Sequence, residues 1–193
     1  MSILHRPAAR PLAALLLLGL AVALLPQQVM AQDQDTAVPE LVEGAEPVEF
    51  LSLAAVLIGD GNYRRARNIL ARVDTDDEEL DRVRYYTLSG LVALNLDELA
   101  LAAAEFERAI EAGQQEPVVW LYLAQAHFSQ EQFVEALDAL DRAGPETTRI
   151  PSVFLMRAQA HWQLEQYQEA WAVLSEGRAV FPERASEIGR AHV

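Results

Sequence analysis

The chain has 193 residues, about half of them apolar, which is enough for one domain with a continuous core. It has no cysteine, which excludes disulfide frameworks, thiol catalysis and cysteine metal sites. All 15 basic residues are arginine, which excludes lysine Schiff-base and phosphate-loop chemistry. A formal charge of −14 repels phosphate backbones and argues against a nucleic-acid partner, while also serving solubility.

The first predicted element is an address. His5, Arg6 and Arg10 make a basic start, and Leu12 to Leu25 is an unbroken apolar run of 14 residues. Pro26 closes it, and Val29-Met30-Ala31 offers small or branched residues to a signal peptidase. This layout predicts a secretory signal peptide over residues 1–31, cut after Ala31. The rival is an uncleaved anchor, but 14 residues fall short of the ~20 that a spanning helix needs. A lipid anchor at the cut would need a cysteine that the chain lacks. Cleavage leaves 13 arginines against 29 carboxylates, a formal charge of −16. Residues 32–46 have neither helical periodicity nor an aromatic side chain and read as a flexible acidic linker.

From residue 47 onward the chain repeats itself. Pro47, Val83, Pro117 and Pro151 begin equivalent segments at intervals of 36, 34 and 34 residues, with the two extra residues in the acidic stretch from Asp74 to Leu80. Each first helix carries a large residue (Phe50, Tyr86, Trp120, Phe154) and then a small one (Ala54, Gly90, Ala124, Ala158). Leu57, Ala93, His127 and His161 follow at the next position of the stripe. Each second helix opens on Tyr63, Leu99, Phe133 or Tyr167. It continues through Ala66, Ala102, Ala136 or Ala170 to Leu70, Phe106, Leu140 or Leu174. Spacings of three, four and seven put these residues on one helical stripe. Pro47, Pro117 and Pro151 suit the first turn of the leading helices. Asn62 and Asp97 are the expected caps of the second helices in the first two units. Gly144 and Gly177 are expected where the last two second helices end or bend.

This pattern resembles the tetratricopeptide-repeat family, most closely in Trp120-x-x-Leu123-Ala124-x-x-His127, then Phe133-x-x-Ala136 and Leu140-x-x-Ala143. The fourth unit adds Phe154, Ala158, Tyr167, Ala170 and the closing Pro182. The resemblance implies an all-α fold, a right-handed α-solenoid of about four stacked helix-turn-helix units. The units run over 47–80, 83–116, 117–150 and 151–182, with 183–193 as a short capping helix.

No catalytic constellation emerges. His127 and His161 stand 34 residues apart at equivalent places, and packing suits them better than a shared metal. The carboxylates from Asp74 to Glu79 lack the central glycine of a calcium loop and read as solvated. Asp60-Gly61-Asn62 is a turn, and no nucleophile elbow or HExxH pattern occurs. The sequence therefore predicts a non-enzymatic chain without cofactor or metal.

The resemblance also implies that leading-helix residues face a concave, ligand-binding groove. On this chain they are Arg84, Thr87, Leu91 and Asn95 in the second unit, and Leu121, Gln125 and Phe128 in the third. The fourth gives Leu155, Gln159 and Trp162, while Val48, Leu51, Ala55 and Ile58 are the first unit's counterparts. Only Arg84 is charged, so the groove suits an apolar peptide or an amphipathic helix. The expected function is a periplasmic scaffold that holds a protein or peptide partner in an envelope assembly, secretion or energy-transducing complex. The alternatives are an exported small-ligand binder or enzyme-associated subunit, and self-association through the array ends. Residues 32–46 or 183–193 could also cover the groove from within the chain.

Overall fold

The computed structural model describes residues 47–145, 147 and 150–182. The expected signal peptide at 1–31, linker at 32–46 and cap at 183–193 lie outside the described residues. The described chain is all-helical: α1 (Pro47–Gly59), α2 (Tyr63–Leu70), α3 (Arg82–Asn95), α4 (Leu99–Glu111), α5 (Pro117–Ser129), α6 (Phe133–Arg142), α7 (Pro151–Gln163) and α8 (Tyr167–Val180). Each leading helix packs on its own second helix, and each pair packs on the next, so the array grows by nearest neighbours. Among the leading helices, α1 also touches α3 and α3 touches α5.

The turn inside each pair is the same device four times. Its central residue is left-handed: Gly61 at φ 74°, Asp97 at 63°, Glu131 at 60° and Glu165 at 61°. The following N–H reaches back to the leading helix, from Asn62 to Leu57 O (2.7 Å), Glu98 to Ala93 O (2.9 Å), Gln132 to His127 O (3.0 Å) and Gln166 to His161 O (2.9 Å). That bond reverses the chain within three residues and satisfies an orphan carbonyl.

The same turn overturns the expected caps. Asn62 does stand at the N-cap of α2, but its side chain makes no capping bond. Asp97 falls one residue early, because Glu98 is the N-cap of α4. Leaving a left-handed residue, these N-caps sit at ψ near 60° instead of the extended region that aims a side-chain oxygen at the first turn. The working cap was not foreseen: Asp81 Oδ1 accepts from Arg84 N at 3.0 Å and opens α3. Asp81→Ala should lower stability by about 1 kcal/mol, read as a fall in Tm; an unchanged melt would deny the bond any net value.

Pro117 and Pro151 sit in the first turns of α5 and α7. Gly144, at φ 77°, lies just past the end of α6, as its sequence position suggests. Gly177 does not end α8, which runs on to Val180. It is buried because a Cβ there would meet Phe154 Cγ at 3.1 Å; the helix uses glycine for close approach. In the acidic loop, Asp74 and Asp77 accept hydrogen bonds from the backbone N–H of Asp76 and Glu79, so these carboxylates shape their own turns.

The core follows the repeat. Ala54, Ala66, Ala102, Ala124, Ala136 and Ala170 are fully buried, and Leu70, Phe106, Leu140 and Leu174 fill the space beside them. Small residues at these crossings let helix axes approach, and large ones on the next turn close the gaps. Three buried clusters result. The first joins α1, α2, the following loop and Leu88 and Val92 of α3; the second runs from α3 to Val153 at the start of α7; the third holds only Ala158 and Leu174 as its buried members among the described residues. Tyr122 of α5 stacks on Phe106 of α4, with ring centroids 5.7 Å apart and 22° between planes, and so ties the second unit to the third.

Candidate partner-binding groove

The ten expected groove residues lie on three successive leading helices, α3, α5 and α7. Their exposure separates them into groups. Leu91 and Leu121 are half-buried against the central core, and Leu155 is half-buried against the last one. Each still offers apolar surface to the solvent side. Phe128 is half-buried and meets Phe133 edge to face at 5.4 Å. Trp162, its counterpart one unit on, is 48% exposed and meets Tyr167 edge to face at 4.9 Å. Both aromatic pairs bridge a leading helix to the first residue of its second helix, which fixes the ring and leaves one side open.

The polar members differ in freedom. Gln125 and Gln159 are exposed, and neither has an intramolecular partner among the described residues. Asn95 instead donates its amide to Leu91 O (2.8 Å), and the Thr87 hydroxyl donates to Val83 O (2.7 Å). These two are turned inward on their own helix. Arg84, the one charged member, reaches Ser52 Oγ of α1 at 3.3 Å. The first unit contributes less than expected: Leu51 is 1% exposed and belongs to the core, while Val48 is largely exposed. Leu51 lies one residue after the large Phe50 of the repeat, at the point where α1 meets α3, and that inter-unit contact consumes it.

Two recurring side-chain devices escaped the sequence reading. His127 Nδ1 pairs with Gln132 Oε1 at 2.7 Å, and His161 Nδ1 with Gln166 Oε1 at 2.7 Å. The histidines thus lock each leading helix to the N-cap of the next. The repeated His-x-x-x-x-Gln spacing was the available signal. On the opposite side, Arg108 covers the Tyr86 ring (5.9 Å to the centroid) and Arg142 covers Trp120 (5.3 Å). The recurrence of arginine 34 residues apart carried that signal. Next to the first of these lids, burial pushes the Tyr85 phenol above its usual pKa. Glu105 and Tyr86 add to the rise, and Arg108 partly offsets it. No group of three or more His, Asp or Glu side chains among the described residues is placed to hold a metal.

The paired-helix array has relatives among known families and folds. A tetratricopeptide-repeat family model matches residues 51–117. The described array folds as a TPR-like solenoid, and its first part carries the tetratricopeptide-repeat match. A second family model, for subunit 3 of the anaphase-promoting complex or cyclosome, matches residues 95–177. Comparison with curated proteins returns no match. Among solved structures, the repeat array is similar to YrrB, described as a TPR protein with an unusual peptide-binding site. That match has 19% identity and a TM-score of 0.64 and covers 76% of each chain. It is similar also to MamA from Desulfovibrio magneticus RS-1, at 15% identity and TM-score 0.63 over 72% of this chain and 77% of that one. PilF of Pseudomonas aeruginosa matches at 19% identity and TM-score 0.61, over 77% of this chain and 68% of that one. At such identities the likeness concerns the fold. The repeat array is a protein-binding scaffold fold, and no catalytic domain is identified in it.

Proposed function

We propose that this protein is an exported, non-catalytic tetratricopeptide-repeat adaptor. In this reading the α3, α5 and α7 faces hold an apolar peptide or amphipathic helix of a periplasmic partner. The observation that carries it is the surface made by Leu91, Leu121, Phe128, Leu155 and Trp162, interleaved with the free amides of Gln125 and Gln159. On a chain of formal charge −14, a face whose single charge is engaged with Ser52 is chemically set apart. Apolar side chains bury against such a face, and exposed amides pair with the ligand backbone. Export is supported by the basic start, apolar run and small-residue cut site of residues 1–31. No helix among the described residues is long and apolar enough to cross a membrane.

Photo-crosslinking residues placed at Gln125 and at Gln159 in the native cell should trap the same partner, and the same residue at the exposed Asn68 of α2 should not. Different adducts from the two groove positions would sink the reading. The mature protein should begin at Gln32 by N-terminal sequencing; an intact Met1 on the envelope protein would remove the cleavable signal.

A further inference from the structure

Away from the groove, the second helices α4 and α6 flank a recess of about 580 Å³ floored by α5. The floor is apolar, from Ile110, Trp120, Leu123 and Ala139. The rim is acidic: Glu107 and Glu111 on α4 face Glu135 and Asp138 on α6. Arg142 pairs with Asp138 at 2.8 Å and lies over Trp120, so that charge is answered within the chain. Glu111 and Glu135 have no cation partner among the described residues. Glu107 has only His127 Nε2, at 4.0 Å. That contact is long, and the other ring nitrogen, Nδ1, is engaged with the Gln132 oxygen at 2.7 Å.

The repeat shows what belongs beside Glu107. One unit on, Asp141 holds the equivalent position on α6, and Arg157 rises from α7 to pair with it. The side chain of Arg157 is 25% exposed and lines the corresponding recess beside α8. In the earlier recess the position equivalent to Arg157 is Leu123, buried at 4%. The anion has been kept and the intramolecular guanidinium replaced by an apolar floor. We propose that this recess binds an arginine side chain of a second partner polypeptide, flanked by an aliphatic residue. The arginine stem lies along Leu123 and Ile110, and its guanidinium takes the place at Glu107 that Arg157 takes at Asp141. Aliphatic stem on apolar floor and planar head on carboxylate is the division of labour that arginine makes. The recess volume falls in the range of pockets that take a short peptide segment, and the unanswered carboxylates select for positive charge. The site is distinct from the groove, whose single charge is Arg84, and favours a different ligand chemistry.

The test titrates acetyl-Leu-Arg-Leu-amide into the purified protein and follows the indole N–H resonance of Trp120. A saturable shift with one site per chain is expected, weakened about tenfold or more when citrulline replaces arginine. Glu107→Gln, at a 57% exposed side chain that folding tolerates, should weaken binding to a similar degree. Leu123→Arg should abolish it by supplying the cation from within, as α7 already does. Arg157→Leu should open a second equivalent site and raise the stoichiometry from one to two. Equal affinity for the citrulline peptide, or wild-type binding by Glu107→Gln, would overturn the proposal. So would spermine binding at the recess as tightly as the peptide, which would make it a general polycation trap.

Discussion

Gly90→Ala is expected to destabilise the protein by about 1–3 kcal/mol, although alanine is the better helix former. A Cβ at Gly90 would lie 2.6 Å from Phe106 Cε1 and 2.7 Å from Cδ1. Phe106 is fully buried and stacked on Tyr122, so its ring has no path away. The other three units resolve the same crossing differently. They place alanine where the second has Gly90, at Ala54, Ala124 and Ala158, and leucine where it has Phe106, at Leu70, Leu140 and Leu174. The second unit has moved volume from the leading helix to the second one. Phe106→Ala alone should cost about 3–5 kcal/mol through the cavity it leaves. The double change Gly90→Ala with Phe106→Leu should recover most of what Gly90→Ala or Phe106→Leu loses alone, because it rebuilds the packing of the other units. Denaturant unfolding of the single and double variants measures this coupling. Strict additivity would mean that the two positions do not share the crossing.

Phe128→Ala with Trp162→Ala should weaken capture of the crosslinked partner roughly a hundredfold or more, since rigid aromatics at the middle of an interface carry much of its energy. Trp162 is 48% exposed and Phe128 half-buried, so the fold should survive both truncations with a modest loss of stability. Retained binding in a variant with a native helical signal would move the interface off these helices. High salt should change the affinity little, because Arg84 is the single charge among the groove residues and it is engaged with Ser52.

The sequence made the helix pairs and most of the core legible because volume recurs with the repeat. Every small residue of the stripe, from Ala54 to Ala170, proved buried or nearly so. What escaped was set by backbone geometry and by partners outside the unit. Asn62 and Asp97 are good cap residues by type, but the left-handed turn before the second helices denies their oxygens the needed direction. Glu131 and Glu165 hold that left-handed conformation without glycine, and nothing in their chemistry announces it. Gly177 has the composition of a helix end and the job of a packing gap for Phe154. In the groove, residue type predicted polarity but not availability. Gln125 and Gln159 are free, while Asn95 donates within its own helix and Thr87 donates to Val83 O and accepts from Gln114.

The uneven division of the core has a consequence for cooperativity. An array held by nearest-neighbour contacts opens by units, and each unit is only as secure as its own burial and the interface beside it. The central cluster spans α3 to Val153 at the start of α7, whereas the last cluster holds just Ala158 and Leu174 as buried members among the described residues, with Phe154, Ala160 and Ala170 also buried in α7 and α8. Local opening should therefore begin at the α7–α8 pair, which carries Trp162, Leu155 and Gln159. A ligand that engages those side chains would draw the least protected unit into the protection of the rest. Binding would then appear in hydrogen exchange as slower opening of α7 and α8, far more than of the core that anchors them.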